Sequence, residues 1–224
     1  MFKSTFVAGA LAAAAIFTST LPTYAAAAPL TTPTAAATAA VVSPLSPAEA
    51  ASLSFMREEE KLAHDVYVTL YNQWGVQVFT NIAASEQTHT DAIATLLARY
   101  GLSDPTVGNA LGEFTDPALQ ALYDQLVAQG SLSLADALKV GAAIEEIDIL
   151  DLEERIAETT HADIKLAYNN LMAGSENHLR AFVSTLERQT GESYTPQYMD
   201  QADYDAIIAV GGNGQQGRGR GGRR

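Results

Sequence analysis

Between Pro47 and Arg188, apolar residues return at intervals of three and four, the period of a helix with one buried face. Leu53, Met56, Glu60, Ala63, Tyr67, Leu70 and Trp74 alternate these two intervals without a break. The run opens at SPAEA, where Ser46 suits an N-cap, Pro47 the first helical position and Glu49 the reciprocal capping position. It stops at Gly75. A first helix from Pro47 to about Trp74 is therefore expected. After the short link GVQVF, residues Ile82, Glu86, His89, Ile93, Leu96 and Tyr100 share one face of a second helix, about Thr80 to Tyr100, closed by Gly101. A third, from after Ser133 to about Ala157, carries Leu138, Ala142, Glu145, Leu152 and Ile156, with Asp148 and Ile149 at its middle turn. A fourth, about Ala162 to Arg188, aligns Ile164, Tyr168, Leu171, Ser175, His178, Phe182 and Thr185.

The connections set the topology. The short link after Trp74 makes the first two helices antiparallel neighbours. Gly101 to Ser133 is too long for a simple turn. DPTVGNALGEF is turn-rich, and DPALQALYDQLVAQG reads as a short helix capped by Asp116 and closed by Gly130. The stretch ESYTPQYMDQADYDAII is expected to lie over the bundle as a strap or short helix. The fold class is all-α: a four-helix bundle with one long crossover between its second and third helices.

Each apolar stripe is interrupted near its middle. The first carries Glu60, the second Glu86 and His89, the third Glu145 with Asp148 one turn on, and the fourth His178. A buried ionised carboxylate costs several kcal/mol unless it is paired or bound to a metal. One such residue is easily absorbed by a local hydrogen bond; five or six spread over four helices are not. Carboxylates and imidazoles together suit iron, manganese or zinc. Glu86 and His89, three apart, stand on one helical face and reach the same ion or an adjacent pair. Tyr67, seven residues after Glu60 on the same face, is placed to bond a ligand.

The ends differ in composition. MFKSTFVAGALAAAAIFTSTLPTYA (1–25) has a basic start, a short apolar run and small residues at the cleavage region, the layout of a secretory signal peptide. Its apolar run is short for a membrane span. Residues 26–46 are Ala, Thr, Pro, Val and Ser, as in a disordered linker, and 209–224 form a Gly/Arg-rich tail expected to be disordered. All 26 acidic residues fall in the central region, 47–208. Five of the 13 basic ones (Lys3, Arg218, Arg220, Arg223, Arg224) lie outside it, leaving eight. Such a core attracts cations and repels nucleic acid, so no specific nucleic-acid partner is expected. The chain has no cysteine, which excludes thiolate metal sites, disulfides and cysteine nucleophiles. No phosphate loop, dinucleotide fingerprint or nucleophile elbow is present.

REEEKLAHDVY, SEQTHTDAI, IEEIDILDLEE and GSENHLRAF, in that order, resemble the motifs of the DUF2202 family, placed in the ferritin-like superfamily. The resemblance covers about Leu53 to Arg188. It implies a dinuclear metal site, usually iron, and chemistry such as ferrous-iron oxidation, peroxide reduction or oxygen activation. It implies Glu60, Glu86, His89, Glu145 and His178 as ligands. One departure stands out: the fourth-helix Glu usual three residues before the His is Ser175 here, and Glu176 is turned about 200° from His178. Asp148 is the substitute carboxylate.

The expected function is an exported protein, in the periplasm, envelope or exterior, with two iron ions oxidising ferrous iron by oxygen or peroxide; manganese or zinc are alternatives. A non-catalytic envelope protein with one structural ion or a degenerate site is the other expectation. No membrane span is expected after signal cleavage, and a homodimer is allowed. Glu58 and Glu59 are expected to face solvent beside Lys61, although Glu59 shares its face with Phe55, Leu62 and Val66. Glu146, Glu153 and Glu154 read as a solvated face, His64 as a surface or edge residue and His161 as a loop or cap residue.

Overall fold

The computed structural model describes residues 43–212. The expected signal peptide, most of the linker and the tail beyond Gly212 lie outside the described residues. Six helices follow in order: α1 (Pro47–Trp74), α2 (Gln77–Tyr100), α3 (Pro117–Gly130), α4 (Leu134–Glu158), α5 (Ala162–Thr190) and α6 (Gln201–Gly212). Among the described residues there is no strand. No described helix is long and apolar enough to cross a membrane.

Local chemistry sets most boundaries. Ser46 accepts the Glu49 N–H while Glu49 accepts the Ser46 N–H, so two otherwise orphaned donors are satisfied reciprocally. Gly75 ends α1 in the left-handed region (φ 66°), where a side chain would strain the turn. Asp116 accepts from the Ala118 and Leu119 N–H groups at the start of α3, and Ser133 from Asp136 at the start of α4. α2 begins three residues earlier than the expected Thr80. The extended residue before it is Val76, whose side chain offers no cap. α6 runs to Gly212, four residues into the expected tail.

α1 packs along α2 and α4 along α5; α1 also meets α4, and α2 meets α5. α3 lies against α1 and α4, and α6 against α5. The apolar stripes form two clusters. One includes Leu62, Tyr67, Leu70, Phe79, Leu138, Leu179 and Phe182; the other includes Leu53, Met56, Ile93, Leu97, Leu152, Tyr168 and Leu171. Burial of each large side chain contributes about 1.5–3 kcal/mol. Along α1, α2 and α5 the polar interruptions fall between the clusters, so apolar layers exclude water on both sides of them.

Three residues expected at the surface, Glu58, Glu59 and Glu146, are buried instead. Glu58 is 4% exposed and accepts the backbone N–H groups of Thr115 and, at 3.0 Å, Asp116. It ties the long crossover to α1. Glu146 is fully buried, and one of its oxygens accepts the N–H groups of Gln197 (2.9 Å), Tyr198 (2.7 Å) and Met199 (3.0 Å). It anchors the segment that follows α5. Glu58 and Glu146 supply the acceptors that a non-helical backbone lacks. Glu153 and Glu154 are exposed.

Candidate metal centre

The interruptions on α1, α2, α4 and α5 meet. Ligand atoms of Glu60, Glu86 and His89 lie within 4.8 Å of one another, and so do those of Glu86, Glu145 and His178. Glu86 belongs to both groups. Its Oε2 is 2.8 Å from His89 Nδ1 and its Oε1 is 2.7 Å from His178 Nδ1. Glu60 Oε2 lies 3.2 Å from His89 Nδ1, and Glu145 Oε2 lies 3.4 Å from His178 Nδ1. The imidazoles stack at 5.5 Å between centroids. Glu60, Glu86 and Glu145 are each 1% exposed.

The outer contacts orient these groups. Tyr67 donates to Glu145 Oε1 at 2.6 Å and to the Gly141 carbonyl at 3.3 Å. Burial and the charges of Glu145 and Glu86 hold the Tyr67 phenol well above its ordinary value, so it stays a donor. His178 Nε2 is 2.9 Å from Ser85 Oγ. When that nitrogen donates to the hydroxyl, Nδ1 carries the lone pair that faces the carboxylates. Ser175 donates to Asp148 Oδ2 and to the Leu171 carbonyl. Asp148 stands in the same layer but outside both three-residue groups. Glu176 points away and pairs with Arg180 at 3.7 Å.

Gly174 makes room for His89: a Cβ there would sit 2.6 Å from His89 Nε2. Neither Gly174 nor Ser85 is marked by the hydrophobic pattern of the sequence. A glycine inside a helix costs roughly 0.5–1 kcal/mol, and that cost was the available signal. His64 stays away from the centre, with Nδ1 2.8 Å from Asp65 Oδ1, and His161 lies beside Glu49 at 2.7 Å, at the N-cap of α5. Glu59, expected toward solvent, is 6% exposed and turned inward.

Protons balance this concentration of carboxylates. Burial and the Glu86 charge push Glu60 and Glu145 up to about 7, although His89 and His178 pull the other way. Burial, then the charges of Glu60 and Glu86, hold Asp148 well above the carboxylate range. Burial would raise Glu86 as well, but the imidazoles of His178 and His89 outweigh it and bring the group to about 2. Burial lowers the two imidazoles, yet their carboxylate neighbours lift His89 to about 11 and His178 to about 10. A cation can replace these protons.

The donor set fits metal ions. Glu60 Oε1, Glu86 Oε1, Asp148 Oδ1 and His178 Nδ1 are buried without a hydrogen-bond partner. Glu86 Oε1 and His178 Nδ1 are close yet not aligned as donor and acceptor. Buried polar atoms are normally satisfied, so several orphans around one point mark a place for a ligand. Three carboxylates and two imidazoles suit iron, manganese or zinc.

MJ0754, an uncharacterized protein of Methanocaldococcus jannaschii, is 54% identical over 154 residues, covering 69% of this chain and 83% of the relative. The crystal structure of hypothetical protein MJ0754 from Methanococcus jannaschii DSM 2661 matches with a TM-score of 0.73 at 52% identity, over 75% of this chain and 95% of that one. Residues 49–211 match an uncharacterized protein domain, DUF2202, and the chain belongs to that family.

Proposed function

We propose that the chain is a ferritin-like four-helix bundle that holds two iron ions and oxidises ferrous iron with oxygen or peroxide. The observation that carries the reading is Glu86, whose two oxygens face two different His–Glu pairs. Glu60 and His89 would hold one ion and Glu145 and His178 the other, with Glu86 between them and Asp148 offering Oδ1 in place of the fourth-helix carboxylate. Ferrous iron held by these residues would supply the electrons that reduce the oxidant. The protein binds, orients and excludes water. Tyr67 fixes Glu145, Ser85 fixes His178, and the two apolar clusters keep the layer dry. Manganese or zinc suit the same donors. Export belongs to the same proposal and rests on the signal-like composition of residues 1–25.

Ferrous iron added anaerobically to the full chain, followed by oxygen or peroxide, tests the reaction. The expected result is a new near-ultraviolet absorption that is lost in Glu86→Ala and His89→Ala. Bound iron that stays ferrous after both oxidants would sink the oxidation reading. The Ser175–Asp148 bond, which occupies one Asp148 oxygen, favours a second reading: a non-catalytic envelope protein with one structural ion. That reading expects one tightly held zinc and no response to oxidant.

A further inference from the structure

A cavity of about 240 Å³ opens at the end of the bundle where α1 and α5 begin and α4 ends. Glu49, Ser52, Arg155, Glu158, Ile164 and Tyr168 stand on its wall, and none of them belongs to either group of convergent metal ligands. The space is too large for one water and smaller than the about 300–1,000 Å³ of drug-sized sites, so it suits a small organic molecule.

Arg155 is the unusual group on that wall. Arg57, Lys61, Arg99 and Lys139, the other Arg and Lys side chains of α1, α2 and α4, each pair with a carboxylate. Among the described residues the Arg155 guanidinium makes neither an ion pair nor a hydrogen bond, and its Nε is buried without a partner. With 26 acidic residues in the chain, carboxylates are not scarce. Its Cζ lies 4.4 Å from the centre of the Phe55 ring, a contact that steadies the guanidinium without using its N–H donors. Such donors match the two oxygens of a carboxylate.

The hydroxyls add a second donor. Ser52 Oγ and Tyr168 Oη are 3.1 Å apart, and both residues are buried. One donates to the other, so one of their two protons is left for a third acceptor. Glu49 is already engaged: Oε1 accepts from Thr159 Oγ1 at 2.8 Å and lies 2.7 Å from His161 Nδ1, and Oε2 accepts from the Ser46 N–H at 2.9 Å. Glu158 is exposed. A second negative charge on a ligand would meet these two carboxylates, so the wall selects a single one. Ala48 and Ile164 give the ligand an apolar surface.

We propose that this cavity binds a small organic monocarboxylate. Arg155 and the spare proton of the Ser52–Tyr168 pair take its oxygens, and Ala48 and Ile164 take its apolar part. The site is separate from the metal centre and does not depend on the reading of that centre.

Titration of the ¹⁵N-labelled full chain with sodium butyrate, followed by NMR without added metal, tests the proposal. The Arg155 Nε–H and the backbone amides of Ser52 and Ile164 should shift saturably, with a dissociation constant on the order of 1 mM, within what so few non-hydrogen atoms allow. Butylammonium chloride at equal ionic strength should leave them in place. Arg155→Gln, followed through Ile164, should weaken binding at least about tenfold, because a hydrogen bond between charged groups is lost. Arg155→Lys keeps the charge without the fork and should fall between. Ser52→Ala and Tyr168→Phe each leave one hydroxyl, so their combination should weaken binding more than either alone. That double variant keeps Arg155 on Phe55 and tests the site even if Arg155→Gln does not fold. No saturable shift, an equal response to butylammonium, or shifts confined to Tyr67 and Ser85 at the metal centre would each overturn the proposal. So would unchanged affinity in the Arg155 variants.

Discussion

Glu145 and His178 are each held from outside the centre, by Tyr67 and Ser85. Glu60 and His89 contact chiefly each other and Glu86; Glu60 Oε1 has no partner, and the outer edge of His89 rests against Gly174. The two halves use the same donors in different settings. Orientation by outer partners is typically worth 10–100-fold in metal affinity. The half on Glu145 and His178 should therefore fill first, and the half on Glu60 and His89 should be the looser and more exchangeable.

The largest effect should come from removing what the halves share. Glu86→Ala deletes an oxygen from each group, so both ions should be lost, with affinity falling at least about 100-fold at each position. Metal content after dialysis would read this directly. Gly174→Ala should strike one half. Its Cβ would meet His89 Nε2 at 2.6 Å, so the ring must move, at a cost of about 1–3 kcal/mol. We expect one ion per chain, with the apo fold retained by circular dichroism. Tyr67→Phe should weaken the other half by about 10–100-fold and leave Glu145 Oε1 unpaired; isothermal titration would show the first, tighter step converging on the second.

The smallest effect is a sloping pH dependence of the metal-free fold. Glu60 and Glu145 titrate at about 7 in the folded chain against an ordinary 4.5, so the folded state holds more protons than the unfolded one between these values. Their stabilisation is complete below 4.5 and is lost as pH rises through 7. His89 and His178, lifted from 6.5 to about 11 and 10, extend the loss above neutrality. The apo melting temperature should fall steadily from pH 5 to pH 9. Loading should flatten the curve and release protons, because the metal takes their place. A flat apo curve would contradict the assignment of shared protons to this layer.

Much of this arrangement was legible in the chain. The alternating spacing on α1 continued through Glu60, so the helix and its misplaced carboxylate came from one pattern. Glu86, His89, Glu145 and His178 were found the same way, as polar residues on stripes that must be buried. Glu58 and Glu146 depart from the expected surface position for a common reason. Helical periodicity registers a partner on the facing helix, but Glu58 and Glu146 are buried by non-helical backbone more than 50 residues away. α4 is covered by α3 and α5, and the segment after α5 binds it through Glu146, so it has buried positions outside its stripe. Ser85 and Gly174 were missed because small residues leave no mark on a hydrophobic pattern. The early start of α2 left no mark either, since Val76 is not a capping residue.

The most direct test is the number of ferrous ions bound per metal-free chain under anaerobic conditions, measured by titration with equilibrium dialysis. We expect two, binding in unequal steps, with the tighter step weakened by Tyr67→Phe and the looser one abolished by Gly174→Ala. No bound ion, or a single ion insensitive to Glu86→Ala, would contradict a centre in which Glu86 serves two metals at once.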